Sequence, residues 1–224
     1  VPLRLQHEHP WDLSPKEARR LQEQLRTYIS IEALPEERIQ TVGGVDASFS
    51  KSRLYAAAVV LDYANLEPID QARVSAPLTF PYIPGLLSFR EAPAILAALA
   101  RLNSLPDVLI VDGHGYAHPR RFGVACHLGV LLDLPTIGLA KSILVGQVTP
   151  LGEAEGSRAE ILEGKQVLGL ALRTRAHVKP VYVSIGHRVD LPSAARVVLN
   201  CSTGYRLPQP ARLAHHLASR KKLG

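Results

Sequence analysis

Three carboxylates stand in this chain where such groups can act together. Asp112 follows the apolar run Leu109-Ile110-Val111, a buried strand, and Gly113 and Gly115 remove side-chain bulk beside it. Ligands gather outside the carboxyl ends of strands in open α/β sheets, and glycine lets a substrate come close. An Asp-Gly pair is equally a common turn. Asp46 lies in a stretch of period two, with Val45, Ala47 and Phe49 on one face and Gly44, Asp46 and Ser48 on the other. A carboxylate in mid-strand is costly unless paired, so a metal ion or a cationic side chain is implied. Glu91 falls at the start of a helix, where the dipole favours an ionised carboxylate. Oxygens of this kind suit Mg²⁺, which one or two carboxylates hold together with water and substrate phosphates. Mg²⁺ is therefore the expected cofactor and Mn²⁺ its expected substitute. Lys141 follows the apolar strand Pro135–Ala140 and shares a rim with Asp112 if the two strands are parallel; an exposed lysine is also the commonest of surface residues.

The elements that must position these groups are legible as a mixed α/β pattern. Ser14-Pro15-Lys16-Glu17 opens an amphipathic helix with a capping box, running to Ile31. Three strands follow as a meander: the first from Thr41, the second Leu54–Asp62 and the third Leu66–Ser75. Three prolines make Pro77–Gly85 a stiff apolar loop rather than a central strand. Its Tyr and Ile side chains suit either packing on the adjoining helix or wedging between stacked bases. The next helix runs from near Ser88 or Phe89 to Leu102 on Ile95, Leu96 and Leu99; Ser88 to Glu91 has capping-box spacing, but Pro93 argues against that register, and a start near Arg90 avoids its cost. Beyond the Pro106–Asp112 strand, a helix is predicted from Pro119. Gly156–Gly164 reads as an exposed polar connector between the Pro135–Ala140 strand and two further strands, Val167–Arg173 and Val181–Ile185. Pro192–Leu199 and Pro208–Ser219 read as helices. On the last, His215 and His216 both fall roughly 130° from the centre of the apolar face, so periodicity does not choose between them.

Composition limits the alternatives. The 224 residues, 46% of them hydrophobic, support one core, so one domain spanning 1–224 is expected. Two cysteines make no disulfide framework, no apolar run spans a bilayer, and nothing near Val1 to Trp11 resembles an export signal. A cytoplasmic monomer with no membrane partner is expected. The net charge of +6 is concentrated: residues 173–224 carry ten Lys or Arg against one acid, Asp190. Such a surface attracts phosphates.

Several segments, in order and covering about residues 40 to 216, resemble the endonuclease V family. They are Val42–Ser48, Pro81–Glu91, Asp112–Gly115 with His118-Pro119-Arg120, Gly138–Ser142, and Gly204-Tyr205-Arg206-Leu207-Pro208. The resemblance implies a ribonuclease H-like fold, with a mixed sheet of about five strands and helices on both faces. It also implies repair of deaminated purines: recognition of deoxyinosine and hydrolysis of the second phosphodiester bond on its 3′ side. Matched by position, Asp46, Glu91 and Asp112 hold metal, Lys141 approaches the reacting phosphate, and His215 occupies a fourth catalytic position that holds Asp in many members and His in others. A neutral imidazole should hold a hard ion less firmly than carboxylate. Pro81, Tyr82, Ile83, Pro84 and Gly85 match the family's wedge, with Arg90 beside it in the substrate-binding set. Gly85, Leu87, Gly113 and Gly138 would shape the pocket of the extruded base, and His118 and Arg120 would contact phosphates. The implied partner is nucleic acid containing inosine, DNA in preference to RNA. The alternatives are an inosine-specific endoribonuclease on single-stranded RNA, a non-catalytic nucleic-acid reader, another ribonuclease H-like nuclease without the base pocket, and a zinc hydrolase built on the nine histidines.

Overall fold

A computed structural model describes residues 1–50 and 52–219. The predicted meander forms as β1 (Thr41–Ser50), β2 (Arg53–Asp62) and β3 (Pro68–Pro77), paired antiparallel in sequence. β4 (Val108–Asp112) then lies parallel to β1, and β5 (Thr136–Ala140) parallel to β4. The sheet continues antiparallel through β6 (Gln147–Val148), β7 (Arg158–Glu163), β8 (Gln166–Leu172) and β9 (Val181–His187), giving the order β3-β2-β1-β4-β5-β9-β8-β7-β6. Its β3-β2-β1-β4-β5 part is the expected mixed, ribonuclease H-like sheet; four further strands extend it to nine.

Among the described residues, five α-helices cover the sheet: α1 (Pro15–Leu25), α2 (Leu87–Leu99), α3 (Val124–Leu132), α4 (Leu191–Asn200) and α5 (Gln209–Ser219). Helices α2 and α3 serve the crossovers that parallel neighbours require. They bury Ile95, Leu99, Leu128 and Leu131 against Val45, Val60 and Val111. The other residues of the same strands face α4 and α5, where Val42, Ile110, Ile137 and Val183 meet Val197 and Ala214. This alternation is what period two dictates for a sheet covered on both sides. A glycine lets α5 seat closely on β1: a Cβ on Gly44 would lie 2.3 Å from the Pro210 carbonyl oxygen.

Three local expectations are corrected. Helix α2 begins at Leu87, close to the Ser88 or Phe89 start and not at the Arg90 alternative, so Pro93 lies inside it and Glu91 is in its second turn. Losing the donor at Pro93 costs about 3 kcal/mol. Leu86 and Phe89, both buried against Ala18 and Phe80, each return roughly 1.5–3 kcal/mol, enough to hold the earlier start. Pro119 starts no helix: α3 begins at Val124, where Gly123 and Ala125 donate N–H groups to the Gly115 and His114 carbonyls. Within 156–164, residues Arg158–Glu163 pair with β8 instead of forming a connector. Ala159 and Ile161 point inward while Arg158, Glu160 and Glu163 are exposed, and that polar face disguised the strand. The capping box of α1 forms as predicted, although its α-helical part ends at Leu25. None of the described helices is long and apolar enough to cross a membrane. Arg220, Lys221 and Lys222 of the basic segment lie outside the described residues.

Candidate active site

Strand register brings the first two carboxylates together. Val45 of β1 pairs with Val111 of β4, so the next residues, Asp46 and Asp112, emerge side by side. Asp46 is 7% exposed; its Oδ1 accepts the Ala47 N–H at 2.7 Å, and its Oδ2 lies 2.7 Å from His215 Nδ1. Against a carboxylate, Nδ1 carries the proton and donates. Helix α5 decides what periodicity left open: His215 turns to the site and His216 is exposed. The Ser48 hydroxyl, donating to the Ala218 carbonyl at 2.7 Å, and the close seat at Gly44 hold that helix on β1.

β5, parallel to β4, delivers Lys141 to the same rim, where its ammonium pairs with Asp112 Oδ2. Arg206 fixes the backbone there, donating from Nη2 to the Lys141 carbonyl at 2.7 Å and to the Pro180 carbonyl at 2.9 Å. Glu91 approaches from α2 and is 6% exposed. Burial, followed by the negative charges of Asp46 and Asp112, pushes its carboxyl well above the ordinary range. Asp46 is also raised, by burial first and then by Asp112, with the His215 hydrogen bond and Lys141 acting in the opposite sense. Among the described residues, Asp46, Asp112 and His215 form a group whose donor atoms all lie within 4.8 Å of one another. Two carboxylates and an imidazole are a donor set that fits a divalent cation. The charge of a cation would also relieve the carboxylate repulsion felt by Glu91.

Beside this corner lies a pocket of roughly 220 Å³. Tyr82, Ile83, Pro84 and Gly85 form one wall with Leu87, and Ser142, Ile143 and Leu144 contribute another. Tyr82 is 70% exposed, whereas Ile83 is half-buried against the cluster of Phe80, Leu86 and Phe89. The loop therefore combines both alternatives: Ile83 packs and Tyr82 projects. Gly113 and Gly138 are not among the residues that line the pocket. A Cβ on Gly138 would lie 2.4 Å from the Gly115 nitrogen, so this glycine lets β5 pass beneath the Asp112 turn. Gly113, at φ +147°, faces Val124.

Arg90 donates to the Phe80 carbonyl at 2.9 Å and stacks over the Phe49 ring, anchoring the start of the loop. His118 and Arg120 are turned toward its other end. His118 Nε2 lies 3.0 Å and Arg120 Nη2 2.5 Å from the Gly85 carbonyl oxygen. Burial, then the Arg120 charge, lowers the His118 pKa to about 4; burial lowers His114, in the pocket lining, to about 4 as well. Both imidazoles are thus neutral at pH 7, and the described metal-donor group includes neither.

Sequence reasoning missed three contributors. Ser184 accepts the Gly115 N–H at 2.9 Å and supports the Asp112 turn. Arg206 lay within a recognised segment but had no assigned role. Gln22 joins the Gly85 contacts, and its signal was a polar residue on the buried stripe Ala18, Gln22 and Leu25 of α1.

The sequence model of the endonuclease V family matches residues 23–216. The chain belongs to the endonuclease V family. An endonuclease V from Gloeobacter violaceus is 54% identical over 216 residues, covering 94% of this chain and 87% of that protein. The crystal structure of the Streptomyces avermitilis endonuclease V has a TM-score of 0.89 at 44% identity, covering 93% of this chain and 92% of that one. Ciona intestinalis endonuclease V, in complex with a 24mer DNA containing an inosine followed by a ribo-adenosine, has a TM-score of 0.78 at 31% identity, covering 90% and 94%. The fold is accordingly ribonuclease H-like, and family membership makes the chain a nuclease.

Proposed function

We propose that this protein is a Mg²⁺-dependent DNA-repair endonuclease that recognises deoxyinosine and hydrolyses the second phosphodiester bond on its 3′ side. The observation that carries the reading is the convergence of Asp46, Asp112 and His215 donor atoms within 4.8 Å, with Lys141 at their edge and a pocket alongside. Asp46 and Asp112 would hold the cation, Glu91 would complete the carboxylate set, its ionised form favoured by the cation's charge, and His215 would orient Asp46. A divalent cation bound there supplies charge against the phosphoryl oxygens and makes water a better nucleophile. Lys141 adds a fixed positive charge where negative charge grows on the phosphate. Water's oxygen bonds to phosphorus, the bond from phosphorus to the 3′ oxygen breaks, and a proton passes to that oxygen, leaving 3′-hydroxyl and 5′-phosphate ends.

Tyr82 would fill the space left by the extruded nucleotide, whose removal costs a few kcal/mol and less when it is mispaired. Gly85 and Leu87 would border the base, and the Asp112 turn, kept compact by Gly113 and Gly138, would bring its backbone near. The enzyme is proposed to act as a cytoplasmic monomer on DNA in preference to RNA. A second reading, cleavage of inosine-containing RNA, is favoured by the Ciona complex, in which a ribo-adenosine follows the inosine. The test is incubation with Mg²⁺ and matched inosine-containing and undamaged DNA and RNA strands, with and without EDTA, and mapping of each cut to the nucleotide. An EDTA-sensitive cut one nucleotide beyond the 3′ neighbouring bond of inosine is expected. Equal cutting of undamaged strands, or none of inosine DNA, would overturn the reading.

A further inference from the structure

Gly85 closes the Pro81–Gly85 loop with a φ of +78°. Its carbonyl oxygen faces three donors from two separate segments: Gln22 Nε2 at 3.1 Å from α1, and His118 Nε2 at 3.0 Å with Arg120 Nη2 at 2.5 Å from the stretch after β4. The donors are themselves tied together. Gln22 Nε2 also donates to the Phe122 carbonyl at 3.0 Å, and Gln22 Oε1 accepts from Arg120 Nε at 2.6 Å. His118 Nδ1 accepts the Arg120 N–H at 3.1 Å, which leaves the proton of the neutral ring on Nε2, directed at Gly85. Gln22 is 1% exposed, and its amide uses both donor hydrogens and its oxygen within this cluster. A buried amide satisfied at every atom fixes geometry, because any shift leaves a desolvated polar group unpaired.

We infer that Gln22 is a positioning residue for the loop: with His118 and Arg120 it clamps the Gly85 carbonyl and thereby sets where Tyr82 stands over the pocket. The inference rests on the proposed wedge role of Tyr82. Tyr82, 70% exposed, is held in place chiefly through its loop, whose two ends are tied by Arg90 at Phe80 and by this clamp at Gly85. Helix α1, to which the sequence assigned no site residue, thus braces the recognition loop from outside the sheet. His118 and Arg120, matched to phosphate contact in the sequence, are committed to the same carbonyl.

The experiment compares wild type, Gln22→Met, Tyr82→Ala and the double variant in the full chain. Methionine keeps the length of glutamine and removes both donors. For Gln22→Met, KM on inosine-containing DNA should rise about tenfold while kcat falls less than threefold, the equivalent of one lost buried hydrogen bond. Hydrogen exchange in peptides spanning residues 82–86 should quicken in the free protein. The double variant should discriminate inosine from undamaged DNA no worse than Tyr82→Ala alone, since both changes act through one element. Unchanged KM and loop exchange in Gln22→Met, with discrimination lost in Tyr82→Ala, overturns the clamp. Unchanged discrimination in Tyr82→Ala overturns the wedge reading and the inference with it. Should Gln22→Met fail to fold, Arg120→Lys carries the test, and unaltered loop exchange in that variant overturns the clamp.

Discussion

The carboxylate corner and the Pro81–Gly85 loop lie side by side but are held by different means. Asp46 and Asp112 are set by backbone register between two parallel strands, the Val45–Val111 pairing placing them together before any side chain is considered. The Pro81–Gly85 loop belongs to no ladder; side chains from α1, α2 and the stretch after β4 hold its terminal carbonyls. A ladder resists displacement because moving one residue disturbs its neighbours, whereas a loop tied at its ends can adjust between them. The proposed chemistry, which tolerates little misplacement of reacting atoms, falls to the ladder. Under the proposed function, recognition of a base that leaves its stack falls to the loop.

The sharpest break of that comparison is at the ladder. Asp46→Ala or Asp112→Ala should reduce single-turnover cleavage of inosine DNA by about a thousandfold or more while binding of the same DNA changes by only a few-fold, as losses confined to the transition state do. Cleavage and equilibrium binding measured on one preparation decide it; near wild-type cleavage by either variant sinks the metal-site reading. Next in size is the contrast between adjacent histidines. His215→Ala should cost about 10- to 100-fold in activity at limiting Mg²⁺, the usual effect of removing a partner that orients a ligand. His216→Ala, altering an exposed side chain, should stay within about twofold. A Mg²⁺ titration of both variants gives the answer, and equal losses would remove His215 from the site.

Tyr82→Ala should lower discrimination of inosine from undamaged DNA by about tenfold, as expected for one lost stacking contact, with less effect on kcat. Competition between the two DNAs measures it. The smallest effect concerns the clamp. His118 has a folded-state pKa lowered from 6.5 to about 4, so between these values the unfolded chain binds more protons than the folded one. Its contribution to stability is complete above pH 6.5 and is lost as pH falls toward 4. His9, His114, His127 and His187 are lowered too and share this slope. Only the difference between wild type and His118→Asn isolates the one residue. Thermal unfolding from pH 7 to 4 should show a shallower decline in His118→Asn; parallel curves would mean that the imidazole does not titrate from within the clamp.

The candidate site was more legible than its supports. A carboxylate at the end of an apolar run, another in the middle of an alternating strand and a lysine after a third strand are local patterns, and each survived folding. The Arg90 alternative for the start of α2 fails because the cost of Pro93 is local while the burial of Leu86 and Phe89 that outweighs it comes from α1 and Phe80. Strand β7 was hidden because its outward side chains are polar, a pattern shared with connectors. Gln22 escaped notice because a single polar residue on a buried stripe does not announce its partners, which lie 63 and 100 positions away.

By itself, the order of residues determined the strand alternation, the capping box of α1, the glycines at close approaches and the identity of the acids, because these depend on neighbours along the chain. Three matters waited for the tertiary structure: that β4 and β5 run parallel and bring Lys141 to Asp112, that α5 turns His215 rather than His216 to Asp46, and that His118 and Arg120 face Gly85. Each is a contact between segments far apart in sequence. Periodicity assigns a residue to a face, but which partner meets that face is decided by how the elements pack.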